Sequence, residues 1–347
     1  MSEVRVGCIG TPAWCREAHI KNLLQISGVE IAAVWNRGAD NLRKAKELLP
    51  ESAKACVSAG ELISNPAING VIVCVPPHLN EEYVIPALRQ GKHVLCEKPL
   101  SNTMQGCRRI VEAAQANRRI LQVGFELRHS EFYREIQSFL HEDKIGRAEM
   151  IVFKSFSDVG WAYRDGTWTI DPQLSGGVMN SWGVHAFDLM NGFTGSEPKA
   201  VFGVGAIKVR TQTPNVDTAS VILEYANGAL ATLLYCRFSP YGNDWELSIV
   251  GRKGKVDGFL NRREIHHHRA DSETNATIRL APYEGTGFPG ALEQMRTFVR
   301  CIRTGEAVLT DGMSGLRATQ TALAIHQSFK EGRRVSLDEI NEGFKGD

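Results

Sequence analysis

The chain has no C-x-x-C pair among its eight cysteines, no block of like charge, no complete G-x-G-x-x-G loop and no apolar run approaching the about 18 residues of a membrane span. Each absence removes a class of function. Scattered cysteines, several inside runs such as Val71-Ile72-Val73-Cys74-Val75, read as small buried hydrophobes in a reducing, cytoplasmic compartment. Forty basic against 39 acidic residues leave a formal charge of +1, which gives neither nucleic acid nor an anionic membrane a surface to bind. Met1 to Val6 leads straight into a strand, so no export signal is expected. The partner left by these exclusions is a small molecule.

What is present is length and pattern. At 347 residues and 43% hydrophobic content, the chain exceeds the roughly 250–300 residues at which single cores stop growing, so two domains are expected. Apolar runs at 4–9, 30–35, 70–75, 93–96 and 120–124 alternate with helical stretches at 18–27, 41–49, 61–63, 80–90 and 104–117. Strands apolar along their whole length are covered on both faces, which predicts an α/β fold with a doubly wound parallel sheet of Rossmann type over residues 1–124. Beyond Gly124, strand-like runs separated by turns such as Asn227-Gly228 and Lys253-Gly254 predict a second α+β domain over 125–340 with a large, open, mostly antiparallel sheet.

Ligands of a doubly wound sheet bind at the carboxyl ends of its strands. The first strand ends in Gly10-Thr11-Pro12-Ala13-Trp14-Cys15, where only the first glycine of a dinucleotide fingerprint survives and Pro12 removes an N–H donor. The second ends in Asn36-Arg37, in place of the carboxylate that would hold the ribose hydroxyls of NAD. Arg37 there suits a 2′-phosphate and tilts the preference from NAD toward NADP. The third runs through Val75, Pro76 and Pro77 to Asn80, a rigid cleft wall with Asn80 expected to cap the next helix. The fourth ends in Glu97-Lys98-Pro99, whose lysine could polarise or protonate a substrate oxygen. In the second domain, a helix starting near Ser181 would set Ser181 and His185 one turn apart, with Asp188 three residues on. His266-His267-His268 lacks neighbours at metal-ligand spacing and reads as a polar strand or loop edge, so no metal is expected.

The segment Gly91-Lys92-His93-Val94-Leu95-Cys96-Glu97-Lys98-Pro99-Leu100 carries a resemblance, supported by Pro76-Pro77, Gly124-Phe125, Trp168 ahead of Asp171-Pro172, Gly176-Gly177, and Gly183-Val184-His185 with Asp188. The chain resembles the Gfo/Idh/MocA family of NAD(P)-dependent oxidoreductases, which act mainly on sugars and cyclitols. The resemblance implies that Lys98 is the active-site lysine, that His185 exchanges a proton with the reacting hydroxyl, and that Glu97 orients the cofactor. It makes Glu126, Arg128, Tyr163 and Trp168 candidates for a sugar pocket, and implies a homodimer or homotetramer formed through the open sheets. The chain departs from the family at its glycine loop and at Ser181, where an aspartate commonly precedes the histidine by four residues. Those departures keep two other readings open: a lyase or hydrolase that recycles its cofactor through a keto-sugar, and a non-catalytic nucleotide- or sugar-binding protein.

Overall fold

The computed structural model describes residues 4–160, 167–211, 213–240, 242–270 and 275–342. It comprises two compact units, Met1–Ser130 with Tyr283–Leu316, and Glu131–Pro282 with Arg317–Asp347. Division at a single point, 124/125, is therefore corrected: the chain returns to its first unit near the end.

In the first unit, β1 (Val4–Ile9), β2 (Val29–Trp35), β3 (Lys54–Ala55), β4 (Gly70–Val73), β5 (His93–Cys96) and β6 (Leu121–Val123) form one sheet in the order β3-β2-β1-β4-β5-β6. All its pairings are parallel. The order reverses between β1 and β4, which opens the crevice where this architecture takes ligands. The apolar runs became strands because helices bury both their faces. Gly7 of β1, for instance, lets Leu62 of the helix Ala59–Ser64 approach so closely that a β-carbon would stand 2.5 Å from its Cδ2. Ser58 and Thr103 start their helices by accepting the N–H groups of Glu61 (3.1 Å) and Gly106 (3.0 Å). Asn80 does not cap. It is the first residue of its helix, and its amide donates to the carbonyls of Pro99 (3.0 Å) and Leu100 (3.1 Å).

The returning segment carries the helix Ala291–Thr304, which buries Met295, Phe298 and Val299 in one core with Val4, Val6 and Ile31. Its apolar stripe covers a sheet made almost 300 residues earlier in the chain.

Among the described residues the second unit holds nine strands: β7 (Met150–Phe156), β8 (Pro198–Ala206), β9 (Thr218–Tyr225), β10 (Leu230–Cys236), β11 (Asp244–Val250), β12 (Gly254–Phe259), β13 (Glu264–Arg269), β14 (Ala276–Arg279) and β15 (Val335–Ser336). Their order is β14-β13-β12-β11-β7-β10-β9-β8-β15, antiparallel except for the β10/β7 pair. Buried and less buried residues alternate along β7, β9, β10 and β11, so one face carries the core. On the other face Phe202 pairs with Ile222, and Leu230, Met150 and Val250 align across three strands, all exposed. His266 to His268 lie within β13, where His268 meets Asp257 at 3.0 Å and the ring of His267 packs against Phe139.

Candidate active site

At the end of β1, Gly10 takes φ +78°, and a β-carbon there would fall 2.2 Å from the Cys74 carbonyl oxygen, so the first glycine is required by the approach of β1 to β4. The helical bond from the Arg16 N–H to the Pro12 carbonyl (3.1 Å) leaves the N–H groups of Ala13, Trp14 and Cys15 ahead of it without an intrahelical acceptor. Such donors fit a pyrophosphate even though Pro12 has none to offer. Thr11 and Asn36 are tied to each other: the Thr11 N–H donates to Asn36 Oδ1 (2.8 Å), and Asn36 Nδ2 donates to the Gly38 carbonyl (2.9 Å). Asn36 thus holds the β1 and β2 loops together, while Arg37 beside it is exposed. Val75, Pro76 and Pro77 follow β4 into a short turn, Pro77–Leu79.

At the end of β5, Glu97 is 5% exposed and fully engaged. Its Oε1 accepts from the Trp14 indole N–H (2.9 Å) and lies 2.9 Å from His19 Nε2, and its Oε2 accepts from the Lys98 N–H (3.0 Å). Burial alone would depress His19, but hydrogen bonds to Cys74 and Glu97 outweigh it and raise the imidazole to about 10. Glu97 moves the other way: burial opposes its charge, yet His19, Lys98 and Trp14 together hold it below the ordinary carboxylate range. Lys98 follows, joined to Pro99 by a cis peptide bond. Glu126 sits beyond β6 in the turn Glu126–His129, with Arg128 half-buried in the same turn. Burial, and then the charge of Glu97, push the Glu126 carboxyl up to about 8.

In the second unit, the expected single helix from Ser181 is corrected. Met179–Gly183 winds as a wide π-type turn before the α-helix Val184–Thr194, so the four-residue spacing of Ser181 and His185 does not place them one α-turn apart. His185 and Asp188 both lie in the α-helical part and are both buried. The His185 ring stands edge-on to Trp245, with centroids 6.4 Å apart. Ahead of this helix, Gly177 takes φ +84°, and a β-carbon there would sit 2.4 Å from Nε2 of His326. That nitrogen accepts the Met179 N–H (3.2 Å), and burial lowers the imidazole to about 4, so it stays a neutral acceptor. Trp168 lies half-buried in the turn Trp168–Ile170, whose Thr169 and Ile170 carbonyls take the Asn215 amide. Tyr163 lies outside the described residues.

Direct contacts in the first unit therefore pair Thr11 with Asn36 and Trp14 with Glu97, with Lys98 next to Glu97 in the chain. Two residues escaped the sequence reading. His19 is the polar member of a buried helix face with Ala18, Ile20 and Leu23, a signal that was available. Arg237 follows Ala231, Leu233 and Tyr235 at the inward-facing period of β10, an equally legible break in an apolar row.

Two family models match: an NAD-binding Rossmann oxidoreductase domain over residues 4–125 and a GFO/IDH/MocA C-terminal domain over residues 133–257. The chain is 29% identical over 346 residues to a myo-inositol 2-dehydrogenase of Thermotoga maritima, covering 97% of this chain and 99% of that one. It is 26% identical over 335 residues to a scyllo-inositol 2-dehydrogenase (NAD(+)) of Bacillus subtilis, covering 94% of each. A solved structure of a probable dehydrogenase from Thermotoga maritima superimposes with a TM-score of 0.83 at 27% identity, over 97% of this chain and 100% of that one. With both halves matched, the chain belongs to the Gfo/Idh/MocA family of NAD(P)-dependent oxidoreductases.

Proposed function

We propose that this protein is a dehydrogenase of a sugar or cyclitol secondary hydroxyl, in which Lys98 and His185 are the catalytic residues. A bound nicotinamide dinucleotide supplies the hydride acceptor at its ring, or the donor in the reverse direction. The first-turn N–H groups of Ala13, Trp14 and Cys15 would take its pyrophosphate, Gly10, Val75, Pro76 and Pro77 would line its cleft, and Arg37 would pair with a 2′-phosphate, favouring NADP over NAD. The observation that carries this reading is the anchored Glu97: tied to Trp14, His19 and the Lys98 backbone, it fixes the strand end from which Lys98 projects.

Lys98 supplies a positive charge that steadies a hydroxyl oxygen as its proton leaves. His185 takes that proton in oxidation and returns it in reduction, a role that needs a neutral ring at the start. Glu126, Arg128, Trp168 and Tyr163 are assigned to the sugar, the carboxyl and guanidinium for hydroxyls and the aromatic faces for the ring. Inositol dehydrogenases among the relatives support a cyclitol or pyranose substrate. The exposed apolar stripe on the second sheet supports a homodimer or homotetramer in which a second copy covers that face. A compartment without export, the cytoplasm, fits seven buried thiols out of eight; no described helix is long and apolar enough to cross a membrane.

The test is calorimetric titration with NADP, NADPH, NAD and NADH, followed by a screen of aldoses and cyclitols read by nicotinamide absorbance. Micromolar binding of a nucleotide and turnover of at least one polyol are expected, with turnover lost in K98M and H185A. Turnover that survives both substitutions would overturn the assignment of roles, and absence of nucleotide binding would overturn the dehydrogenase reading.

A further inference from the structure

Arg237, the residue after β10 and two on from Tyr235, is 1% exposed. A guanidinium taken out of water ordinarily meets a carboxylate. Among the described residues this one meets none. Its Nη1 donates to Ser157 Oγ, its Nη2 to Ser155 Oγ at 3.2 Å, and its Nε has no hydrogen-bond partner. Its Cζ lies over the Tyr235 ring, 4.0 Å from the centroid, and 5.6 Å from the centroid of Trp182. The nearby carboxylates are committed elsewhere. Asp217, whose carbonyl accepts the Arg237 N–H, gives its oxygens to the N–H groups of Lys208, Val209 and Arg210 at 2.7 to 2.9 Å, and Asp158 pairs with Arg210. Hydroxyls and ring faces ease the burial of a cation but bring no net charge.

The position of this cation matters as much as its isolation. Trp182, beside its Cζ, precedes His185 by three residues, and Ser155, on its Nη2, stands opposite Trp245, whose ring meets His185. Trp182 thus meets Arg237 and Trp245 meets His185, while Ser155 stands between Arg237 and Trp245 on the core side of one sheet. His185 itself is only 7% exposed, so slight contact with water does not separate the two residues.

We propose that Arg237 is the anion-recognising residue of the substrate pocket, and that the preferred substrates are polyols bearing a carboxylate, of the aldonic or uronic acid type. The inference rests on the dehydrogenase reading above. The unsatisfied Nε–H and the neighbouring Nη form the side-on edge of a guanidinium, which takes a carboxylate through two parallel hydrogen bonds. One guanidinium among hydroxyls and aromatic rings balances a single negative charge, which suits a carboxylate better than a phosphate dianion. The substrate carboxylate would complete the charge balance of the site on binding, so its worth lies in discrimination against neutral polyols.

The experiment is steady-state kinetics on matched pairs, glucuronate with glucose and galacturonate with galactose, in wild type, R237Q and R237K, with thermal shift of each variant by the same compounds and by sulfate. Wild type is expected to favour the acid in kcat/KM by at least about tenfold, R237Q to lose that preference because the acid loses at least about tenfold more than the neutral sugar, and R237K to keep part of it. Acids should raise the melting temperature of wild type but not of R237Q, a readout independent of turnover. Equal use of acid and neutral sugar by wild type, or equal losses for both in R237Q, would overturn the proposal and leave the dehydrogenase reading intact. Stabilisation by sulfate equal to that by the acids would also overturn it, as adventitious anion binding only. Should R237Q fail to fold, the wild-type and R237K comparisons decide. If nicotinamide nucleotides fail to bind at all, it is the dehydrogenase reading that falls, and thermal shift by the acids still judges Arg237.

Discussion

A β-carbon on Gly124 would stand 2.8 Å from the carboxyl carbon of Glu97. The last strand of the parallel sheet thereby leaves room for the carboxylate that Trp14 and His19 hold. G124A should push Glu97 out of that position and weaken nicotinamide nucleotide binding by at least about tenfold in calorimetry, a loss of about 1.4 kcal/mol. Unchanged affinity would mean that the Trp14–Glu97–His19 cluster supports only the fold.

The His19 imidazole titrates near 10 in the folded chain against an ordinary 6.5. Between those values the folded state binds more protons than the unfolded one, so the stability from the His19–Glu97 pair is full below about 6.5 and is lost as pH rises through about 10. Melting temperature should fall over that window, and the H19Q variant should lose the part of the fall that belongs to this pair. A curve of the same shape in H19Q would refute the assignment.

Glu126 also shifts upward, to about 8, because burial and the Glu97 charge disfavour its ionised form. Here too the folded state holds the extra proton, so the carboxyl costs stability progressively from about 4.5 up to about 8 and by a constant amount above. E126Q should match wild type in melting temperature near pH 4 and exceed it increasingly up to pH 8. An advantage that does not change with pH would point to packing instead of charge.

Arg37 is exposed beside Asn36, whose amide is already committed to Thr11 and Gly38. R37A should therefore weaken NADP binding by about 1.5–3 kcal/mol, the scale of a hydrogen bond to a charged group, and leave NAD nearly unaffected. Equal losses for both nucleotides, read by calorimetry, would remove the 2′-phosphate from its role.

The strands of the first sheet were legible because each is apolar along its length, as a two-sided burial demands. β3 was not, since Lys54 and Ala55 are exposed and carry no pattern. The helix Ala291–Thr304 could be read as amphipathic, but a stripe does not say which sheet it covers, and so the return of residues 283–316 to the first unit stayed hidden. The wide turn at Met179–Gly183 depends on a close approach of Gly177 to His326, almost 150 residues away, which no local spacing contains. At the candidate site, Glu97 and Lys98 were visible through a contiguous motif. Arg237, the residue after β10, continued its inward period, yet its lack of a carboxylate partner among the described residues emerges only from the folded arrangement.

The return of Ala291–Thr304 to the first core also constrains how such a protein can be cut and recombined. A fragment ending at Ser130 would carry all six strands of the parallel sheet but leave Val4, Val6 and Ile31 without Met295, Phe298 and Val299 against them. Grafting a foreign substrate unit through one crossover would import someone else's helix into that same seam. Exchange between relatives must instead be made at three junctions, near 130, 283 and 317, so that residues 131–282 and 317–347 travel together and the nucleotide-binding half keeps its own closing helix.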